Sequence, residues 1–174
     1  MTPTERADLL RKLEAGRNGL LASVEGMSDE EASAQPSPDR WSAIGNIDHL
    51  AMVETNMIRL LKEAPPGEGV AVPGREMGFY GAIQLREKRF VAPEPVHPTG
   101  EVSTLADAIA KFDRARSETV AFVQECEYDP RLCSTMHPLL GKITGMECLF
   151  VIAAHPLRHA AQIRELRAQA AARG

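Results

Sequence analysis

Thr144-Gly-Met-Glu-Cys-Leu-Phe-Val-Ile-Ala-Ala-His155-Pro-Leu-Arg-His159-Ala-Ala-Gln-Ile-Arg-Glu-Leu166 reads as one long helix with a marked start. Thr144 with Glu147 three residues on forms a capping box, in which each residue satisfies a backbone amide of the other. Leu149, Val151, Ile152, Leu157, Ile163 and Leu166 give the helix an apolar side. His155 and His159 stand four apart, so both imidazoles project from one face. Pro156 lies between them. Proline inside a helix removes an amide donor and clashes one turn back, at a cost of about 3 kcal/mol. It also disfavours the helical conformation of the preceding residue, here His155. A kink is therefore expected at Pro156. It either aims His155 at a ligand shared with His159, or is a tolerated distortion in which the freed Ile152 carbonyl bonds water.

Working outward, three more helical stretches carry start signals. Thr2, Pro3 and Glu5 open a helix running to about Glu25, with Leu9, Leu13, Leu20 and Val24 on one stripe. Gly26 is its stop, and Ser28-Asp-Glu-Glu31 is a second capping box that starts one short turn. A second long helix starts near Ser42, after Trp41, with Ile44, Ile47, Ala51, Val53, Met57 and Leu60 facing inward. Pro65-Pro66-Gly67 ends it. A third runs from Ser103 or Thr104 to about Glu127, with Leu105, Ile109, Phe112, Val120 and Val123 buried. Between the second and third, residues 64–100 are rich in proline and glycine and read as a long crossover, with a short helix from about Phe79 to Arg89. Such a loop is either a functional lid or a solvated connection. No run of alternating strands stands out. The expectation is an all-α four-helix bundle forming one domain over residues 1–174.

Composition excludes several classes of partner. A chain of 174 residues is long enough for a substantial core. The net charge of -4, with dispersed basic residues, offers no field for nucleic acid or an anionic membrane. The longest uncharged apolar stretch, around Leu149 to Ala154, is too short to cross a bilayer. The N-terminal segment has no basic lead into an apolar run, so no signal peptide is expected. Cys126, Cys133 and Cys148 form no C-x-x-C pair, which suits free thiols in a reducing cytoplasm.

Two imidazoles at helical spacing can hold one metal ion, and equally can be two polar surface residues. His49, midway along the second helix, is compatible with the inward face and would make a three-nitrogen site. Such a site leaves coordination positions open, which is the pattern of a catalytic metal.

Two segments carry a family resemblance. Trp41-Ser-Ala-Ile-Gly-Asn-Ile-Asp-His49-Leu resembles the W-S-x-x-x-x-x-x-H-L signature of the DinB-like (YfiT-like) superfamily. His155-Pro-Leu-Arg-His159-Ala-Ala-Gln162-Ile resembles its second signature, H-x-x-x-H-x-x-Q-I. Leu139, Gly141 and the Thr144 cap resemble the family's approach to its last helix, and the similarity of helix order spans nearly the whole chain. The resemblance implies a four-helix bundle in which His49, His155 and His159 bind a divalent metal, commonly zinc or nickel. It also implies thiol-dependent transferase or isomerase chemistry with a low-molecular-weight thiol, and a possible homodimer. Many members of the family have no known activity.

The residues around the pair bear on that chemistry. Pro156, Leu157 and Arg158 separate the histidines, so the glutamate base of H-E-x-x-H proteases is missing. Metal coordination makes a thiolate the stable form without a protein base, which favours thiol transfer. Gln162, three after His159, is a candidate ligand-binding residue or a surface glutamine. Arg86, Lys88 and Arg89 could bind an anionic thiol or form a solvated cluster. Asp48 and Glu54 are candidate acceptors for an imidazole N–H. Cys148, two turns before His155, is a candidate fourth ligand or a buried structural cysteine. His97 and His137 receive no role. The alternatives to a thiol-using enzyme are a stress-response protein that binds a small molecule without chemistry, and a metal-dependent hydrolase.

Overall fold

A computed structural model describes residues 1–172 except 65, 68, 88 and 89. Four long helices dominate it: α1 (Pro3–Val24), α3 (Ala43–Glu63), α5 (Leu105–Glu125) and α6 (Gly145–Ala171). The short helices α2 (Asp29–Ser33) and α4 (Arg75–Gln84) lie in the connections. The long helices pack in a ring in the order α1, α6, α3, α5. The second and last long helices are therefore neighbours, which is what a site shared by His49 and the His155–His159 pair requires.

Local chemistry explains where the elements start. The Thr2–Glu5, Ser28–Glu31 and Thr144–Glu147 capping boxes all form. Ser42 caps α3 by accepting from the Gly45 amide at 3.0 Å. Helix α4 begins several residues earlier than expected and ends by Gln84. Its cap is Gly74 in the left-handed region, with φ 76°, so no capping side chain marks the start. The loop expected around Pro138 contains a small antiparallel hairpin, β1 (Ser134–His137) with β2 (Gly141–Thr144). His137 Nδ1 accepts from the Leu139 and Leu140 amides, and Gly141 adopts φ 72°, which tightens the turn. Pro65, Lys88 and Arg89, named in the expectations above, lie outside the described residues. Among the described residues no helix is long and apolar enough to cross a membrane.

The core divides into two apolar clusters. One contains Leu9, Leu13, Ile58, Leu61, Val123 and Leu149; the other contains Leu20, Ile44, Ile47, Leu50, Phe112 and Ile163. Between them fall buried polar residues. Arg116 of α5 donates to Glu54 of α3 at 2.9 Å and to the Leu13 carbonyl of α1 at 3.0 Å. The other Glu54 oxygen accepts from Thr119 at 2.7 Å. Glu54 and Arg116 are 3% and 4% exposed, so their charges depend on each other.

The same guanidinium accounts for Pro156. Helix α6 runs through Pro156 as one continuous element. The Ile152 carbonyl, which Pro156 cannot serve, faces Arg116 Nη2 at 3.5 Å. On the other side, α1 approaches closely at Gly16. A Cβ placed there would stand 2.5 Å from the Ala153 carbonyl oxygen, whereas one at Gly19 meets only the mobile end of Leu157. Gly16→Ala is expected to lower stability by about 1–3 kcal/mol, because backbone must move to admit the methyl group. Gly19→Ala gains helix propensity of about 1 kcal/mol and is expected to be neutral or stabilising. Paired urea unfolding curves check the contrast.

Candidate metal centre

His49 reaches the α3–α6 seam from the first half of α3, where Ala43–Ala51 is buried on every side, and it lies one turn after Asn46 on the same face. His155 and His159 keep their shared face because α6 is unbroken at Pro156. One ligand nitrogen from each of the three rings lies within 4.8 Å of the others. The Nε2 atoms of His155 and His159 are 3.0 Å apart. Two nitrogens on one zinc-like ion, each at about 2.0–2.1 Å, stand roughly 3.0–3.4 Å apart, so this spacing fits shared coordination. His49 and His159 are buried and His155 is partly exposed, which gives the cluster one open edge.

Neighbouring groups fix which nitrogen is bare. His49 Nδ1 lies 2.7 Å from the Val96 carbonyl, which can only accept, so Nδ1 carries the proton. The Nε2 lone pair of His49 is left for a ligand. His159 Nδ1 lies 2.7 Å from Asn46 Oδ1, and its Nε2 faces His155. Trp41 packs over the group, with ring centroids 4.7 Å from His49 and 6.5 Å from His159. The crossover thus contributes the Val96 carbonyl, and it is tied down again where the Thr99 amide donates to Asp48 Oδ2 at 3.2 Å.

Burial lowers the pKa of all three histidines, those of His155 and His159 well below the ordinary value, with neighbouring histidines adding repulsion for this pair. Neutral rings are the form that ligates a cation. The same shifts set an expectation for the metal-free protein. Below pH 6.5 the unfolded histidines take up protons that the folded ones refuse, so folding stability falls as pH falls through that range. Denaturant melts against pH should show the loss beginning near 6.5, above the carboxylate range. A His155→Leu, His159→Leu double variant should lose much of that slope.

The other candidates are engaged elsewhere. Asp48 Oδ1 pairs with Lys111 at 2.6 Å, and Glu54 is held by Arg116 and Thr119, so neither carboxylate serves an imidazole through these contacts. Gln162 Oε1 accepts from Arg86 at 3.1 Å, and Arg86 also pairs with Glu165 at 2.8 Å. Arg158 donates to the Ile83 and Leu85 carbonyls and lies over the Phe90 ring, holding the crossover against α6. Cys148 is fully buried, and burial pushes its thiol pKa far up, so it is a poor ligand or nucleophile. His97 packs edge-on to Trp41, and its Nε2 contacts the Ala92 carbonyl at 2.9 Å. Sequence reasoning gave no role to Asn46 or Val96. The spacing of Asn46 three residues before His49 gave no signal of its contact with His159.

A sequence model of the DinB superfamily matches residues 12–163. The uncharacterized protein YuaE of Bacillus subtilis strain 168 is 24% identical over 144 residues, covering 83% of this chain and 88% of YuaE. Three solved structures share the fold. YfiT from Bacillus subtilis, described as a probable metal-dependent hydrolase with an unusual four-helix bundle topology, has a TM-score of 0.61 at 18% identity, over 98% of this chain and 90% of that one. A conserved protein from Enterococcus faecalis gives 0.63 at 14%, over 95% and 97%. The four-helix bundle protein TT2238 gives 0.56 at 21%, over 95% and 98%.

Proposed function

The chain belongs to the DinB superfamily, and from that premise we propose that it is a divalent-metal-dependent enzyme that activates a small thiol at His49, His155 and His159. The observation that carries the reading is the composition of the cluster: three histidines and, among the described residues, no carboxylate. Zinc or nickel suits imidazole donors, and copper or iron would also bind them, so availability decides. A divalent ion held by neutral rings keeps its positive charge, and a coordinated thiol is deprotonated.

The protein's own groups do the rest. Val96 and Asn46 hold the rings of His49 and His159 in one tautomer. Trp41 covers the rings of His49 and His159 on one side, and the crossover meets His49 through the Val96 carbonyl. His155, the partly exposed member of the cluster, is the side from which a thiol and its electrophilic partner would approach. Asp48 and Glu54 are paired with Lys111 and Arg116, so neither of these two carboxylates is free to activate water. This favours transfer to or isomerisation with a low-molecular-weight thiol over hydrolysis. Hydrolysis is the second reading, favoured by the description of YfiT.

Metal analysis of protein purified without a histidine tag tests the centre. One equivalent in the parent and none in the His49, His155 and His159 alanine variants is expected; equal metal in all four proteins sinks it. A panel of thiols with monochlorobimane, run beside a panel of esters and amides, separates the chemistries. Turnover of the thiol panel that disappears in His49→Ala supports transfer. Chelator-sensitive cleavage of esters with no thiol turnover supports hydrolysis instead. Saturable ligand binding without turnover in either panel would favour a non-catalytic binding protein.

A further inference from the structure

The geometry points to Asn46 as a positioning residue that sets the tautomer of His159 and thereby aims a bare Nε2 into the histidine cluster. The inference rests on the metal-centre reading for its consequence, while its structural basis is independent. Asn46 is completely buried. Its Nδ2 group lies 2.7 Å from the Ser42 carbonyl and 3.3 Å from the Trp41 carbonyl. Carbonyl oxygens only accept hydrogen bonds, so the amide cannot turn its own oxygen towards them without placing three acceptors together. Oδ1 must therefore face His159, where Nδ1 stands 2.7 Å away. An oxygen in that place demands Nδ1–H, and the neutral ring then carries its lone pair on Nε2.

This arrangement gives the segment before His49 a second purpose. Ser42 caps α3 with its hydroxyl, and its carbonyl accepts from both the backbone and the side chain of Asn46. The start of one helix thus orients a histidine on another. The His49 ring is set in the same sense by a different device, the Val96 carbonyl. Both buried histidines consequently present the same nitrogen. Acceptors of this kind orient a ligating ring and raise its basicity, and their loss typically weakens metal binding 10–100-fold.

Proton–nitrogen correlation spectra of the imidazole rings in the metal-free protein, near neutral pH, read the tautomer directly. The parent should carry the His159 proton on Nδ1. In Asn46→Leu, which matches the volume and removes the acceptor, the population should move towards Nε2–H, and the metal dissociation constant should rise about 10–100-fold by chelator competition. Asn46→Asp should retain more of both properties, since a protonated carboxyl can donate to Ser42 and accept from His159. The parent spectrum requires no variant to fold, and a bare Nδ1 in it overturns the inference. So does an Asn46→Leu protein with the parent's tautomer and affinity. A parent that binds no metal overturns the metal centre instead, and the spectra still decide what Asn46 does.

Discussion

Arg116→Met lowers the unfolding free energy by about 3–5 kcal/mol, the cost of stranding one member of a buried ion pair. Glu54 is 3% exposed and, among the described residues, would keep the Thr119 hydroxyl alone as a donor. Burial raises its pKa and lowers that of Arg116, while their mutual attraction opposes both shifts. Replacing both partners, as Glu54→Leu with Arg116→Met, removes the stranded charge. The double variant should return much of the way to the parent, with a remaining deficit of about 1–3 kcal/mol from carbonyls that lose a donor. Chemical unfolding of the four proteins forms a double-mutant cycle. Additive losses would show that the two charges are not coupled. A second effect follows from the Ile152 carbonyl, which lies one turn before Pro156 and faces Arg116. Removing the guanidinium leaves that turn without its substitute donor, immediately before His155. The single variant should therefore bind metal less tightly even where it remains folded.

This pair also explains why parts of the molecule were hard to read in the sequence. The bundle was legible because its helices announce themselves locally: Thr2 with Glu5, Ser42, Thr104 and Thr144 with Glu147 all cap as their spacing suggests. The histidine pair was legible for the same reason, since four residues on a helix mean one face. Whether His49 joined it depended on which helices are neighbours, and periodicity carries no such information. The local cost of Pro156 is visible in the sequence, whereas the compensating donor comes from another helix, 36 residues away. Glu54 reads as a candidate partner for an imidazole and Arg116 carries no signal at all, because a charge gives no sign in sequence that its partner is buried beside it. The hairpin after α5 is too short for alternation to register, and the Gly74 cap of α4 works by backbone conformation. Val96 acts through a main-chain oxygen, which every residue possesses.

Adding the physiological divalent ion to metal-free protein stabilises the fold by about 4 kcal/mol when free metal is a thousand times its dissociation constant. The reason is linkage: the three nitrogens converge only in the folded chain, where α3 and α6 adjoin, so the ion binds the native state in preference to the unfolded one. For a chain of this length each kcal/mol moves the melting temperature by roughly 2–4 °C, which makes the expected shift about 8–16 °C. Chelator should reverse it fully. His49→Ala, His155→Ala and His159→Ala should each abolish the shift, although their metal-free melting temperatures need not agree. The alanine variants remove buried neutral rings as well as ligands, so the difference between loaded and metal-free protein is the quantity to compare. Metal-free His49→Ala also lets the Val96 carbonyl lose its donor, loosening the crossover independently of any ion. A parent whose melting temperature ignores metal, or variants that retain the shift, would mean that the convergence of the three rings serves packing and not coordination.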